Sequence, residues 1–127
     1  MSFSELKKLT DGLLYPSESD FPLIAFHWPE AKNFDSTSIE KFIVSRFYNN
    51  KSFHLERSMH ENFLDPICKN DPTNRFNKLN QFINRNLRNP QAFLFSENDN
   101  PSEKKLFIVG SLNSGEACGF HTTLIET

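Results

Sequence analysis

A run of four apolar residues, Leu106-Phe107-Ile108-Val109, is the feature that most restricts how this chain can fold. Successive side chains of a β-strand point to opposite faces of the sheet, so a strand without polar alternation is expected to be buried. We therefore predict a central strand over residues 105–112. The segment Asn113-Ser114-Gly115 has turn chemistry. Residues 117–125 are then predicted to return as the second strand of a hairpin.

Three other segments have the apolar spacing of amphipathic helices. The first lies at the N-terminus and is expected to stop near Gly12. The second covers residues 35–48. The third is predicted to begin at Pro72, with Asp71 as its cap, and to stop before Pro90.

Shorter segments complete the prediction. Strands are expected in three places: residues 23–28 (ended by Pro29), 51–56 and 91–96. Loops are expected over residues 14–22 and 97–103, and a loop with one helical turn is expected over residues 57–72. The order of elements favours a mixed α/β or α+β sandwich, in which helices cover a mostly antiparallel sheet. With 127 residues, the chain has the usual size of one domain, so we expect a single domain over residues 1–127. Its 14 Phe residues must supply much of the buried area.

The charge balance bears on the class of partner. The formal net charge is −2, whereas proteins that bind nucleic acid directly usually present a strongly basic surface. This argues against direct nucleic-acid binding and suits a basic protein partner. No signal peptide is visible, and no apolar run approaches the ~20 residues of a membrane span. We therefore expect a cytoplasmic protein that does not enter a membrane and is a monomer when free.

Sites for catalysis or metal binding are weakly supported. The chain contains four isolated histidines: His27, His54, His60 and His121. A metal site from His54, His60 and Cys68 is one interpretation, but its spacing matches no common ligand pattern. Ordinary hydrogen-bonded histidines are the other. Cys68 and Cys118 are far apart in sequence and are expected to be reduced, mostly buried thiols. The chain has no GxSxG motif or glycine-rich phosphate loop, so we expect neither enzyme activity nor a cofactor.

Two segments carry oxygen ligands in defined settings. Glu18 and Asp20 lie in a loop between two prolines, where they could act as an acid–base pair or be solvated surface acids. A strand-like segment ends directly at Thr127, which presents a hydroxyl and a terminal carboxylate side by side. Both are hard oxygen donors of the type that Mg²⁺ prefers. The alternative is that the chain simply ends there, in a residue that suits strands.

Three blocks of sequence together cover about half of the chain. They are Asp11-Gly12-Leu13-Leu14-Tyr15-Pro16-Ser17-Glu18-Ser19-Asp20-Phe21-Pro22, then Phe76-Asn77-Lys78-Leu79 through Asn86-Leu87-Arg88-Asn89-Pro90-Gln91, and Phe107-Ile108-Val109-Gly110 through Gly119 to Ile125-Glu126-Thr127. In residue type and in order, these blocks resemble those of the nuclease A inhibitor family.

The resemblance implies a fold and a function. The fold would be of the α/β class, an α/β/α sandwich with a mostly antiparallel mixed sheet covered by helices. The function would be non-enzymatic: binding a non-specific DNA/RNA endonuclease with a ββα-metal site and blocking its Mg²⁺-containing active site. The family's inhibitory glutamate falls on Glu18. Its terminal threonine, which reaches the nuclease's metal ion, falls on Thr127.

The neighbouring residues Ser17, Ser19, Asp20 and Glu126 are expected to contact the partner as well. The family's Asp-Trp pair before the long helix has no counterpart, because the nearest segment reads Asn62-Phe63-Leu64-Asp65. An interaction module of the same fold with a different, non-nuclease partner is therefore the alternative function.

Overall fold

The computed structural model describes residues 3–16, 19–32, 36–48 and 52–125. The helices are α1 (Phe3–Thr10), α2 (Ser36–Phe47), α3 (Glu61–Cys68) and α4 (Arg75–Asn86). The strands are β1 (Leu14–Tyr15), β2 (Phe21–Pro22), β3 (Ile24–Lys32), β4 (Phe53–Met59), β5 (Arg88–Glu97), β6 (Asn100–Ser111) and β7 (Glu116–Ile125). Across these ranges, the helices are too short and too polar for any of them to cross a lipid bilayer.

The main sheet has five strands in the order β3-β7-β6-β5-β4, and β1 pairs with β2 in a separate two-stranded sheet. All strand pairs in the described ranges are antiparallel. β6 lies at the centre of the main sheet, as the apolar run predicts. The predicted hairpin is confirmed too, because β6 and β7 are joined by a turn in which Gly115 has a φ of +90°. The Gly115 N–H donates to the Leu112 carbonyl over 2.8 Å.

Both faces of the main sheet are covered by helices, which makes the fold an α/β/α sandwich. The apolar side chains of neighbouring strand positions alternate between two cores, as the period of a strand requires. One core, on the α4 face, joins the sheet to α1, α3 and α4 through residues that include Leu6, Leu64, Leu79, Leu94, Ile108 and Phe120. The other core, on the α2 face, joins the sheet to α2 through residues that include Trp28, Ile39, Ile43, Phe93, Phe95 and Phe107.

Aromatic rings fill the core on the α2 face, as the composition predicts. The Tyr48 and Phe95 rings stack with centroids 4.8 Å apart, and Phe107 meets Phe95 edge-on at 5.7 Å. Trp28 stacks on Phe26 at 3.9 Å. Burying each such side chain stabilises the fold by roughly 1.5–3 kcal/mol.

Prolines interrupt the strands less than the sequence predicts. The prediction that Pro29 ends its strand is wrong, because β3 continues to Lys32. β3 is an edge strand, where a residue without an N–H donor is tolerated. The pairing register shifts between Trp28 and Lys32, around the proline. Residues 97–103 are likewise not a loop: β5 and β6 are joined by a two-residue turn, and β6 includes Pro101.

The prediction of a loop with one helical turn over residues 57–72 is wrong in extent, because this segment contains more regular structure. β4 extends to Met59, and α3 occupies residues 61–68. Leu64 is fully buried against α4 and the sheet, and Phe63 and Ile67 pack against the same core. Pro66 lies inside α3 and removes one backbone donor from it. The burial of these three side chains offsets that loss.

α4 begins at Arg75, three residues later than predicted. The chain turns before it through Asn74, whose φ is +62°. Asp71 nevertheless caps the helix, because its Oδ2 accepts hydrogen bonds from the N–H groups of Phe76 at 2.7 Å and Asn77 at 3.1 Å. Partial desolvation raises the pKa of this carboxyl, but the hydrogen bonds donated by Asn77, Thr73 and Phe76 outweigh it and lower the pKa below its usual value.

Candidate functional site

The loop that contains Glu18 is held at both ends by a small hairpin. β1 and β2 pair antiparallel, with Leu14 opposite Pro22 and Tyr15 opposite Phe21. Leu13 and Leu23, at the base of the hairpin, are buried in the core on the α4 face. Residues 14–15 and 21–22 are therefore paired strands, which corrects the prediction of a continuous loop over residues 14–22.

The hairpin is attached to β7 by a buried hydroxyl group. The Thr122 Oγ1 donates to the Pro22 carbonyl at 3.0 Å and lies 3.4 Å from the Phe21 carbonyl. Only 2% of Thr122 is exposed. Ile125 follows three residues later on β7, roughly 10 Å along the strand. The base of the acidic loop and the end of the last strand therefore lie near each other.

The predicted partner-binding residues fall partly in the described ranges. Ser19 and Asp20 are exposed just before β2. Ser17 and Glu18 lie outside the described residues, as do Glu126 and Thr127. The predictions made for these four residues stay predictions.

Exposed aliphatic side chains lie beside the acidic loop. Leu14 is 48% exposed and Ile24 is 50% exposed, and Pro22, the cross-strand neighbour of Leu14, is exposed as well. Leu14 and Ile24 are two of the four large hydrophobic residues that are exposed in the described ranges. Apolar surface next to charged groups is a common composition for a protein–protein contact.

α3 is a neighbour of the hairpin that the sequence reasoning missed. The Tyr15 hydroxyl donates to the Phe63 carbonyl at 2.8 Å, across 48 residues of sequence. The segment Asn62-Phe63-Leu64-Asp65 therefore lies beside the hairpin. Asn62 and Asp65 are exposed there, while Phe63 packs inward. The helical spacing of Phe63, Leu64 and Ile67 was the signal that could have identified α3.

The histidines make ordinary contacts, as one interpretation predicts. The Nε2 of His27 lies 2.6 Å from the Glu116 carboxylate. The buried His60 uses its Nε2 to contact the Asn84 amide oxygen at 2.8 Å. Among the residues that the structure describes, no three potential ligands are grouped to hold a metal ion. The alternative of a site from His54, His60 and Cys68 is therefore not supported.

Burial shifts the pKa values of one histidine and of both cysteines. His121 lies between aromatic rings, 5.4 Å from Phe107, where desolvation and the nearby Lys105 ammonium lower its pKa. Burial raises the pKa of the Cys118 thiol to about 12. Burial also raises the pKa of Cys68, with the carboxylates of Asp65 and Asp71 acting in the same direction. Both cysteines are free thiols, as predicted, and both are held in the unreactive protonated form.

The sequence model of a family described as NuiA, nuclease A inhibitor-like protein, matches residues 2–127. A search of curated proteins gives no significant match.

Proposed function

Because the chain belongs to the nuclease A inhibitor-like family, we propose that it binds a non-specific DNA/RNA endonuclease and blocks its active site. The whole chain, residues 1–127, acts as one binding domain without catalysis of its own. The target is a nuclease with a ββα-metal site and a bound Mg²⁺. The inhibitor acts in the cytoplasm and is a monomer before it binds.

The hydrogen bond from Thr122 to the Pro22 carbonyl supports this proposal most directly. It attaches the hairpin that carries Glu18 to the strand that leads into Thr127. Two groups can enter one active site only if their supports lie close together, and this bond brings the two supports into contact. The apolar surface of Leu14 and Ile24 adds contact area beside the loop.

The chemistry of blocking follows from what such an active site binds. A nuclease holds phosphate oxygens beside Mg²⁺ and basic side chains. The Glu18 carboxylate and the terminal carboxylate of Thr127 offer anionic oxygens of the same kind, and a terminal carboxyl is ionised at neutral pH because its usual pKa is ~3.5. They present no phosphodiester to cleave. Thr127 is a metal ligand only toward the partner's Mg²⁺, in the complex.

The neighbouring residues have supporting roles in the proposal. Ser17, Ser19 and Asp20 are neighbours of Glu18 in the sequence, and Glu126 precedes Thr127. Their hydroxyl and carboxylate oxygens add acceptors for the basic side chains of the nuclease. Because the hairpin is attached to a folded sheet, β1 and β2 lose little conformational entropy on binding.

The test is inhibition of a panel of Mg²⁺-dependent non-specific nucleases, measured as DNA digestion. Inhibition at near-stoichiometric ratios is expected for the wild type. Glu18→Gln or deletion of Thr127 should each weaken inhibition by a factor equivalent to roughly 2–4 kcal/mol, the usual cost of removing a central buried contact. Glu56→Gln, on β4, is the control for Glu18→Gln.

A second comparison isolates the chain terminus. A C-terminal tag should weaken inhibition, whereas the same tag at the N-terminus should leave it unchanged. Equal potency of the two tagged proteins would remove Thr127 from the mechanism. Unchanged potency of the Glu18→Gln variant would exclude the acidic loop from the mechanism.

The alternative function is an interaction module with a partner other than a nuclease. The observation that favours it is the α3 segment beside the loop, where Asn62-Phe63-Leu64-Asp65 offers no tryptophan to the partner. Failure to inhibit any nuclease of the panel, together with specific capture of another protein from the native host, would establish it.

A further inference from the structure

A cavity of about 140 Å³ opens on the α2 face of the sheet, near the end of β7. Its walls come from the last residues of α2, the last residues of β5 and the first residues of β6. The lining residues are Phe47, Tyr48, Phe95, Glu97, Asn100, Glu103 and Lys105. Glu103 is the antiparallel partner of Ile125, the last described residue before Glu126 and Thr127. The cavity therefore lies beside Ile125, two residues before the threonine that the proposed function directs into the nuclease.

Aromatic side chains form the inner wall of the cavity. Tyr48 stacks on Phe95 and is only 4% exposed. The Tyr48 hydroxyl has no hydrogen-bond partner within the part of the chain that the structure describes. Because this hydroxyl is open to the cavity, a ligand that enters the cavity can form a hydrogen bond with it. Burial raises the pKa of Tyr48 above its usual value, and the carboxylates of Glu97 and Glu103 raise it further.

The rim of the cavity is acidic. Glu97 and Glu103 contribute two carboxylates, and the Asn100 amide donates to the Glu103 Oε2 at 2.9 Å. Among the described residues of the lining, Lys105 is the one basic residue. Its ammonium lies close enough to His121 to lower the pKa of that imidazole. The cavity thus combines aromatic faces, two carboxylates and an accessible hydroxyl, which together suit a cation with several N–H donors.

We propose that this cavity receives an arginine side chain of the bound nuclease, an inference that rests on the proposed function. A guanidinium is planar, stacks on aromatic rings and donates to carboxylates in a fork, whereas a lysine ammonium is a compact, strongly hydrated charge. Surfaces that bind the phosphate backbone are rich in such side chains. The arginine stacks against the aromatic wall and donates to Glu103, Glu97 and the Tyr48 hydroxyl oxygen.

The position of the cavity is compatible with one continuous interface. Neighbouring strands lie about 4.8 Å apart, so Glu97 on β5 lies roughly 10 Å across the sheet from β7. A standard interface covers about 800 Å² on each partner, a patch roughly 30 Å across. The cavity on the α2 face and the hairpin base on the α4 face both lie at the end of the sheet where β7 ends, so a patch centred on this end can reach both.

The experiment measures the Kd of the inhibitor–nuclease complex for variants that are expected to change Kd in opposite directions. Glu103→Gln should raise Kd by roughly 10- to 100-fold, because it removes a charged partner from a desolvated guanidinium. Tyr48→Phe, which keeps the ring stack, should raise Kd by about 3-fold. Lys105→Gln should lower Kd by about 2- to 3-fold, because it removes the one competing positive charge. The matched control is Glu56→Gln on β4, an exposed glutamate that points to the α4 face, and its Kd should not change.

A double-mutant cycle then identifies the occupant. Each arginine and each lysine on the nuclease surface is changed to alanine and combined with Glu103→Gln. One arginine should show a coupling that Glu56→Gln does not share. Equal Kd values for Glu103→Gln, Lys105→Gln and Glu56→Gln, with potent wild-type inhibition, would overturn the cavity's role and leave the proposed function intact. Coupling of Glu103 to a lysine alone would also overturn the assignment to arginine. A wild type that inhibits no nuclease would refute the proposed function itself.

Discussion

Thr122→Val is the substitution that most directly tests the link between the acidic hairpin and β7. Thr122 is 2% exposed, and its hydroxyl donates to the Pro22 carbonyl at 3.0 Å. Valine has nearly the same shape, so the change removes the hydrogen bond without leaving a cavity. The expected loss in the free energy of unfolding is about 1 kcal/mol, the usual net value of one intramolecular hydrogen bond. For a chain of this length, that corresponds to a fall in Tm of roughly 4 °C.

The effect on inhibition follows from the same bond. Without this hydrogen bond the hairpin of the free inhibitor is less ordered. Binding must then order the hairpin, and the conformational entropy that is lost weakens the complex. A loss of about 1 kcal/mol corresponds to roughly a 5-fold rise in Kd. Isothermal titration against an inhibited nuclease measures this rise. Faster amide hydrogen exchange in β1 and β2 would locate the change in the hairpin.

Thr123→Val is the matched control. Thr123 is the next residue of β7, is 8% exposed and points to the other face of the sheet. Its hydroxyl forms no hydrogen bond to a described residue. We expect the Thr123→Val variant to have the same Kd for the nuclease, and the same amide exchange rates in β1 and β2, as the wild type. If the two valine variants have the same Kd and the same hairpin exchange, the hydroxyl does not position the loop and the reasoning is refuted.

Two further predictions concern the fold. Because hydrogen bonds lower the pKa of Asp71 from its usual 3.8, its stabilising effect is present above that pH and is lost as pH falls through the lower, folded-state pKa. Asp71→Asn should therefore lower Tm at pH 7 and reduce the difference in Tm between pH 7 and pH 2. An unchanged difference would contradict the cap. Gly119→Ala would place a Cβ 1.9 Å from the Ile108 carbonyl oxygen, between two central strands, and should cost about 3 kcal/mol or more in the free energy of unfolding. Gly12→Ala meets nothing closer than 3.9 Å and should cost only about 1–2 kcal/mol, from its φ of +73°. Similar losses for the two alanine variants in urea denaturation would show that the close approach at Gly119 does not control stability.

The elements that the sequence determined are those specified by local pattern. The apolar run Leu106-Phe107-Ile108-Val109 identified the central strand, and Asn113-Ser114-Gly115 identified its turn. The spacing of apolar residues located α1, α2 and α4. Each of these signals lies within a few residues of the element that it specifies, because strand and helix periods are properties of a short stretch of backbone.

The candidate site was predicted less completely. The resemblance selected the loop at Glu18 and the terminus at Thr127, and the family match over residues 2–127 confirms the resemblance itself. It did not identify α3 as the neighbour of the loop, nor the cavity beside β7. Both depend on contacts between distant parts of the chain, such as Tyr15 with Phe63 and Tyr48 with Phe95.

Tertiary structure alone decided how several ambiguous residues are used. Pro29 is tolerated within a strand because β3 is an edge of the sheet, and an edge position is set by the other strands. Asp71 caps α4 across an intervening turn, because a left-handed Asn74 brings its carboxylate back to the helix. Thr122 and Pro22 lie 100 residues apart in sequence and meet through one hydrogen bond. Periodicity reports which face a residue occupies. The residue that lies opposite it is determined only when all strands of the sheet have paired and both cores are buried.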